Sequence, residues 1–124
     1  MTATTDPKKI PAERWAEWCG AFTNGNCGRL ISLEVVNDET SPKLLADNIA
    51  FVAIEYDPDS RGSSFLISCG NEKSPSEHVV AHPVGLWQGQ DEDGLFITLE
   101  IDDERGNRTL MTLLAGNRQT KTKS

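Results

Sequence analysis

Leu95-Phe96-Ile97-Thr98-Leu99-Glu100-Ile101, then Asp102-Asp103-Glu104-Arg105-Gly106-Asn107, then Thr109 to Leu114, is the stretch that decides the fold. Leu95, Ile97, Leu99 and Ile101 alternate with Phe96, Thr98 and Glu100. A polar turn follows, and a second apolar run comes back. A period of two buries one face and wets the other, the pattern of an antiparallel pair laid over a core. The strongest pattern in the chain is therefore architectural.

Four further extended runs precede this hairpin. Arg29 to Val36 puts Ile31, Leu33 and Val35 on one side. Ile49 to Tyr56 is apolar on both sides and is placed centrally. Ser64 to Cys69 is the third. His78 to Trp87 is the fourth and contains Pro83, which cannot donate to a ladder, so that strand is read as an edge or as bent or bulged there. Lys43 to Asn48 reads as a connection or a short helical turn, and Gly70 to Glu77 as a loop.

Upstream lies one convincing helix, about residues 11–24. Pro11 suits a first helical turn because its missing N–H would lack a partner there anyway. Trp15, Trp18, Cys19 and Phe22 fall at i, i+3, i+4 and i+7, one apolar stripe. Gly25 is a plausible stop. Two tryptophans on one stripe need a broad surface to cover, and a sheet face supplies it. With short links and no strand–helix–strand rhythm, the expected class is α+β, mainly antiparallel β. The helix packs on a six-stranded sheet, strongly curved or closed into a small barrel.

The chain has 124 residues and a net charge of −7. That length fits one domain over residues 10–116, able to bury a core without staples. Residues 1–9 and the basic tail 117–124 are expected to be disordered. Between Ile10 and Gly116 there are 18 acidic and 7 basic side chains, a balance of −11. Such a body repels phosphate backbones, so nucleic acid is not an expected partner. No run approaches a membrane span. The charges of the N-terminus are not followed by an apolar segment, so no secretory signal is read and the cytoplasm is the expected location.

Cys19, Cys27 and Cys69 fit that location, since an odd count with no C-x-x-C pair argues against a disulfide framework or a zinc knuckle. His78 and His82 form H-x-x-x-H. On extended backbone they stand roughly 13 Å apart, too far for one zinc ion with bonds of about 2 Å. Asp57-Pro58-Asp59-Ser60-Arg61-Gly62 begins like a calcium loop, but Arg61 and Ser68 occupy ligand places that need acids. Asp91-Glu92-Asp93-Gly94 and Asp102-Asp103-Glu104 read as solvated turns. Cys27, flanked by glycine and following the helix, lacks a sequence-local base. Trp87 fits a core position or the centre of a partner surface.

The order of several short elements resembles an uncharacterised family of small, mostly bacterial proteins, a domain of unknown function. The elements are Ile10-Pro11-x-x-x-Trp15 with Phe22; Gly28-Arg29 leading into Ile31 to Val36; Tyr56-Asp57-Pro58; His78 with His82-Pro83; and Leu99-Glu100-Ile101-Asp102. The resemblance covers about residues 10–115 and brings no activity, cofactor or catalytic residue with it. The favoured expectation is a non-catalytic binding or assembly module of the bacterial cytoplasm. It has a protein partner or self-associates, the Pro83 strand being the candidate edge for a homodimer. No cofactor, catalytic group or metal ligand is assigned. Candidate binding residues are Trp87, Tyr56, His78 and His82. The alternatives are a small enzyme or metal-dependent protein using His78, His82 and Cys27, or a ligand-binding barrel with Trp87 and Tyr56 at its open end.

Overall fold

The computed structural model describes residues 7–37, 39, 41–58, 62–71, 73–90 and 96–114. The expected disorder of residues 1–6 and 117–124, the Asp91–Gly94 cluster and the middle of the calcium-like turn lie outside these residues. Strand β1 (Lys8–Lys9) is followed by a 3-10 turn (Ala12–Arg14) and helix α1 (Trp15–Asn26). Then come β2 (Leu30–Val36), β3 (Lys43–Asp57), β4 (Ser64–Asn71), β5 (Ser74–Ala81), β6 (Pro83–Gln90), β7 (Phe96–Asp103) and β8 (Arg108–Leu114). The strands form one antiparallel sheet in the order β1-β6-β7-β8-β2-β3-β4-β5.

The α+β antiparallel class is as expected, but the sheet has eight strands rather than six and does not close into a barrel. The two additional strands have clear origins. Lys8 and Lys9, expected to be disordered, pair with Gln88 and Trp87. The expected fourth run is two strands, because it breaks at His82, which holds a left-handed φ of 54°. Ser74 to Glu77, read as loop, begins β5 against Asn71 to Ser68. Lys43 to Asn48, read as a connection, is the first half of β3 and pairs with Val35 to Leu33. Register irregularities on either side of Leu33 break the period of two there, which hides the strand from pattern reading. The expected irregularity at Pro83 is present, with a register shift between Pro83 and Gly85, but this strand is not the edge it was expected to offer, because β1 pairs with Gln88 and Trp87 on its other side.

β3 runs through two surroundings. Its first half pairs with β2, and its second half pairs with β4. Where β2 diverges, α1 takes over the open flank of β3. Gly28 N–H donates to Phe51 O at 2.7 Å, and Phe51 N–H donates to Arg29 O at 2.8 Å. One turn of helix earlier, the Thr23 hydroxyl accepts Ile54 N–H at 3.0 Å and donates to Ile54 O at 3.2 Å. Backbone groups that would otherwise be orphaned are thereby satisfied.

The helix begins later than expected, because Pro11 is extended (φ −61°, ψ 143°) and a 3-10 turn precedes Trp15. It passes Gly25 and stops at Gly28, whose φ of 95° suits glycine alone. The apolar stripe is as read: Trp15, Cys19 and Phe22 are buried. Phe22 meets Phe51 edge-on at 5.6 Å, and Trp15 meets Tyr56 and Phe65 at 5.4 and 5.1 Å. Trp15 Nε1 donates to Ile10 O, and Trp18 Nε1 to Gln88 Oε1, which fastens the helix to β6 at the far side of the sheet. The core is completed by Ile31, Leu33, Ile54, Ile67, Leu86, Leu99, Ile101, Met111 and Leu113. The sheet curls over it until His78 of β5 lies 3.4 Å from the buried Thr109 hydroxyl of β8.

Candidate functional site

The alternation that buries Leu99 and Ile101 turns Thr98, Glu100 and Asp102 to the outer face of β7. Strand register then fixes their neighbours. Glu100 lies opposite Trp87 of β6 and Leu110 of β8, while Leu110 lies opposite Glu34 of β2, which in turn faces Leu44 of β3. One row thus reads Trp87, Glu100, Leu110, Glu34, Leu44, with Leu44 58 % exposed. In the next row Asp102 stands between Gly85 and Arg108.

Trp87 is half-buried, and its setting is specific. Its ring lies over Gly85, where a methyl group would collide with the indole. The Lys9 ammonium sits 5.4 Å from the ring centroid on the strap formed by β1, within cation–π range. A shallow cavity of about 150 Å³ opens beside it, lined by Pro7, Trp87, Thr98, Glu100, Leu110 and Thr112 among others.

One carboxyl of this face is perturbed. Glu100 is pushed up to about 7, first by burial, then by its hydrogen bond with Asp102 and by the Asp102 charge, with Arg108 pulling the other way. The inner oxygen of Asp102, Oδ1, is buried and has no hydrogen-bond partner. Sequence reading missed this pair, taking Asp102 as part of a solvated turn and Glu100 as an ordinary outward residue. The available signal was the i, i+2 spacing of two acids on one strand face; its partners across the sheet are set only by register.

Tyr56 is elsewhere. It packs on Trp15 and Phe65 and borders a groove of about 800 Å³ between α1 and β3–β4. Ala16, Gly20 and Thr23 line the helix side, and Glu55, Asp57 and Leu66 the strand side. Trp87 and Tyr56 therefore border different cavities rather than one open end.

The two histidines also part company. Burial lowers the pKa of His78, whose ring approaches Thr109. His82 holds the β5–β6 corner. Its N–H donates to Ser63 O, its carbonyl accepts Glu104 N–H, its ring packs on Gly62, and Nδ1 lies 3.8 Å from a Glu104 oxygen. Cys27 is exposed at the C-cap of α1. Cys19 is buried, and its thiol is pushed up to about 12 by burial and by the Glu55 charge. Among the described residues no group of three or more His, Cys, Asp or Glu side chains is arranged to hold a metal ion. No described helix is long and apolar enough to cross a membrane.

Comparison with known proteins places this geometry in a lineage. Residues 6–121 match the Family of unknown function (DUF5335). The chain belongs to this family. The match spans the whole described body, from the β1 strap through α1 to β8. An uncharacterised protein of Aquifex aeolicus (strain VF5) is 24 % identical over 106 residues, covering 86 % of this chain and 90 % of the relative. No solved structure matches significantly.

Proposed function

We propose that this chain is a non-catalytic binding or assembly module of the bacterial cytoplasm, formed by one domain that includes the β1 strap. Its contact face is the outer side of β6, β7 and β8. The observation that carries the reading is Trp87, half-buried at the head of a cross-sheet row that continues through Leu110 to the exposed Leu44. Tryptophan on a rigid strand, flanked by partly desolvated polar groups, is the residue type and setting of interface hot spots. The acidic balance of the body favours a partner offering cations or hydrogen-bond donors, and disfavours nucleic acid. The partner is another protein or a second copy of this chain. His82, beside a 450 Å³ recess with Glu104 and Arg105, lies at one end of the molecule as a secondary contact, and His78 supports the core behind it.

A photo-crosslinking residue at Leu110, introduced in the native host, tests this reading. A discrete cross-linked species is expected, lost when Trp87→Ala is added and absent when the crosslinker replaces the exposed Glu13 of the 3-10 turn before α1. Sedimentation of the purified chain separates self-association from a second protein. A strict monomer that yields no adduct from Leu110 overturns the proposal.

The groove beneath α1 favours a second reading, small-ligand binding beside Tyr56. Fragment titrations followed by amide shifts of Gly20, Thr23 and Tyr56 decide it, and unmoved resonances across a diverse set of fragments remove it.

A further inference from the structure

β5 ends the sheet. It pairs with β4 on one side, and among the described residues no strand pairs with its other side. The opposite end of the sheet is guarded: β6 begins at Pro83, which has no N–H, and is strapped by β1. Glu77 to Ala81 of β5 has neither protection.

One hydrogen bond fixes which backbone groups face the open side. His82 N–H donates to Ser63 O at 2.9 Å, one step beyond the Ser64–Ala81 pair. Residues of an antiparallel strand alternate between bonding one neighbour and facing away from it. Val80 and His78 share the parity of His82 and bond towards β4. Ala81, Val79 and Glu77 therefore aim N–H and C=O at the open side. Pro75 has the same parity, so its missing N–H falls where the sheet loses nothing. Glu77, Val79 and Ala81 are exposed, Val79 by 57 %.

We propose that β5 pairs antiparallel with β5 of a second copy of this chain, with Val79 facing its own twin on the two-fold axis. Val79 then exchanges both backbone hydrogen bonds with that twin, and Glu77 does the same with Ala81 of the second copy. No like charges stand opposite each other. Leu66 lies beside Val79 on β4, so the outer face acquires one apolar row of Leu66 and Val79 from each copy. The charges also match. A recess of about 450 Å³ lies between Val79 and Ala81 on one side and the β7–β8 turn on the other. Glu77 of the second copy, opposite Ala81, meets Arg105 of that turn there. Both residues are exposed, and neither forms an ion pair with a described residue. Of the acids in the turn, Glu104 is set against His82, and Asp103 is held by the N–H groups of Arg105 and Asn107. The two-fold repeats the Glu77–Arg105 attraction. This edge is remote in strand order from the Trp87 face, goes beyond the reading above and is tested apart from it.

Sedimentation equilibrium of the full chain, from micromolar to near-millimolar concentration, is expected to show a monomer–dimer equilibrium. Val79→Lys sets two ammonium groups at the axis and is expected to weaken dimerisation about tenfold. Its exposed position leaves the unfolding of the dilute monomer unchanged. Glu77→Arg and Arg105→Glu are each expected to weaken the dimer, and their combination to restore it. In a Cys27→Ser background, Val79→Cys is expected to oxidise to a linked dimer, whereas Ala81→Cys links only when mixed with Glu77→Cys. A chain that stays monomeric throughout, or a dimer insensitive to Val79→Lys, overturns the proposal. Loss of such an insensitive dimer on Trp87→Ala would assign it to the β6–β8 face instead.

Discussion

At Thr23 a single hydroxyl satisfies both backbone groups of Ile54, on a flank of β3 that no strand covers. Thr23→Val keeps the shape and removes both bonds. Leaving buried backbone groups unpaired costs about 1–3 kcal/mol, so the variant is expected to lose about that much in urea unfolding, with Thr23→Ser recovering most of it. Equal stability of the valine and threonine forms would show that water replaces the hydroxyl. The apolar partners of Thr23 were legible in advance: Trp15, Cys19 and Phe22 follow a helical period, and burial follows period. Thr23 itself was not, because nothing local to a helix says which strand its outward hydroxyl will meet. The same limit hid Glu100 and Asp102. Alternation told which face they occupy, whereas Trp87 and Arg108 became their neighbours through register, which pattern reading does not set.

At the level of elements, α1 is a wedge between the two halves of the sheet. It is held by Trp18 Nε1 on Gln88 of β6 and by Phe22 against Phe51 of β3. Phe22→Ala opens a cavity between Trp18, which stacks on it at 4.9 Å, and Phe51. A loss of about 3–5 kcal/mol is expected from such a deletion, measured as a lowered denaturant midpoint with an unchanged slope. A much smaller loss would mean the wedge collapses to fill the gap. Strands with clean alternation, β7 and β8, were readable in advance. β1 was not, since two lysines carry no pattern, and its pairing depends on Ile10 N–H reaching Leu86 O at 2.8 Å. The first half of β3 was obscured by its irregular register with β2, and β5 was fused to β6 because a histidine rather than glycine makes the break between them.

Across the whole molecule, the curl of the sheet brings its remote parts together. β5, last in the strand order, meets β8 through His78 and Thr109, and the β7–β8 turn donates Glu104 N–H to His82 O. That turn is itself fixed by Asp103, whose Oδ1 accepts the N–H groups of Arg105 and Asn107. With core side chains drawn from the helix and from β2 through β8, calorimetry of the described body is expected to show one unfolding transition with matching calorimetric and van't Hoff enthalpies. Two resolved transitions would show that β4–β5 melts apart from the rest.

The 15-residue span of β3 gives that expectation a wider meaning. It is a common wall for two rooms, so neither room can be transplanted into another scaffold without carrying it along. Lengthening the chain within Lys43–Asp57 would slide one room's register against the other. Inserted residues are better accommodated after Asp57, where the wall ends.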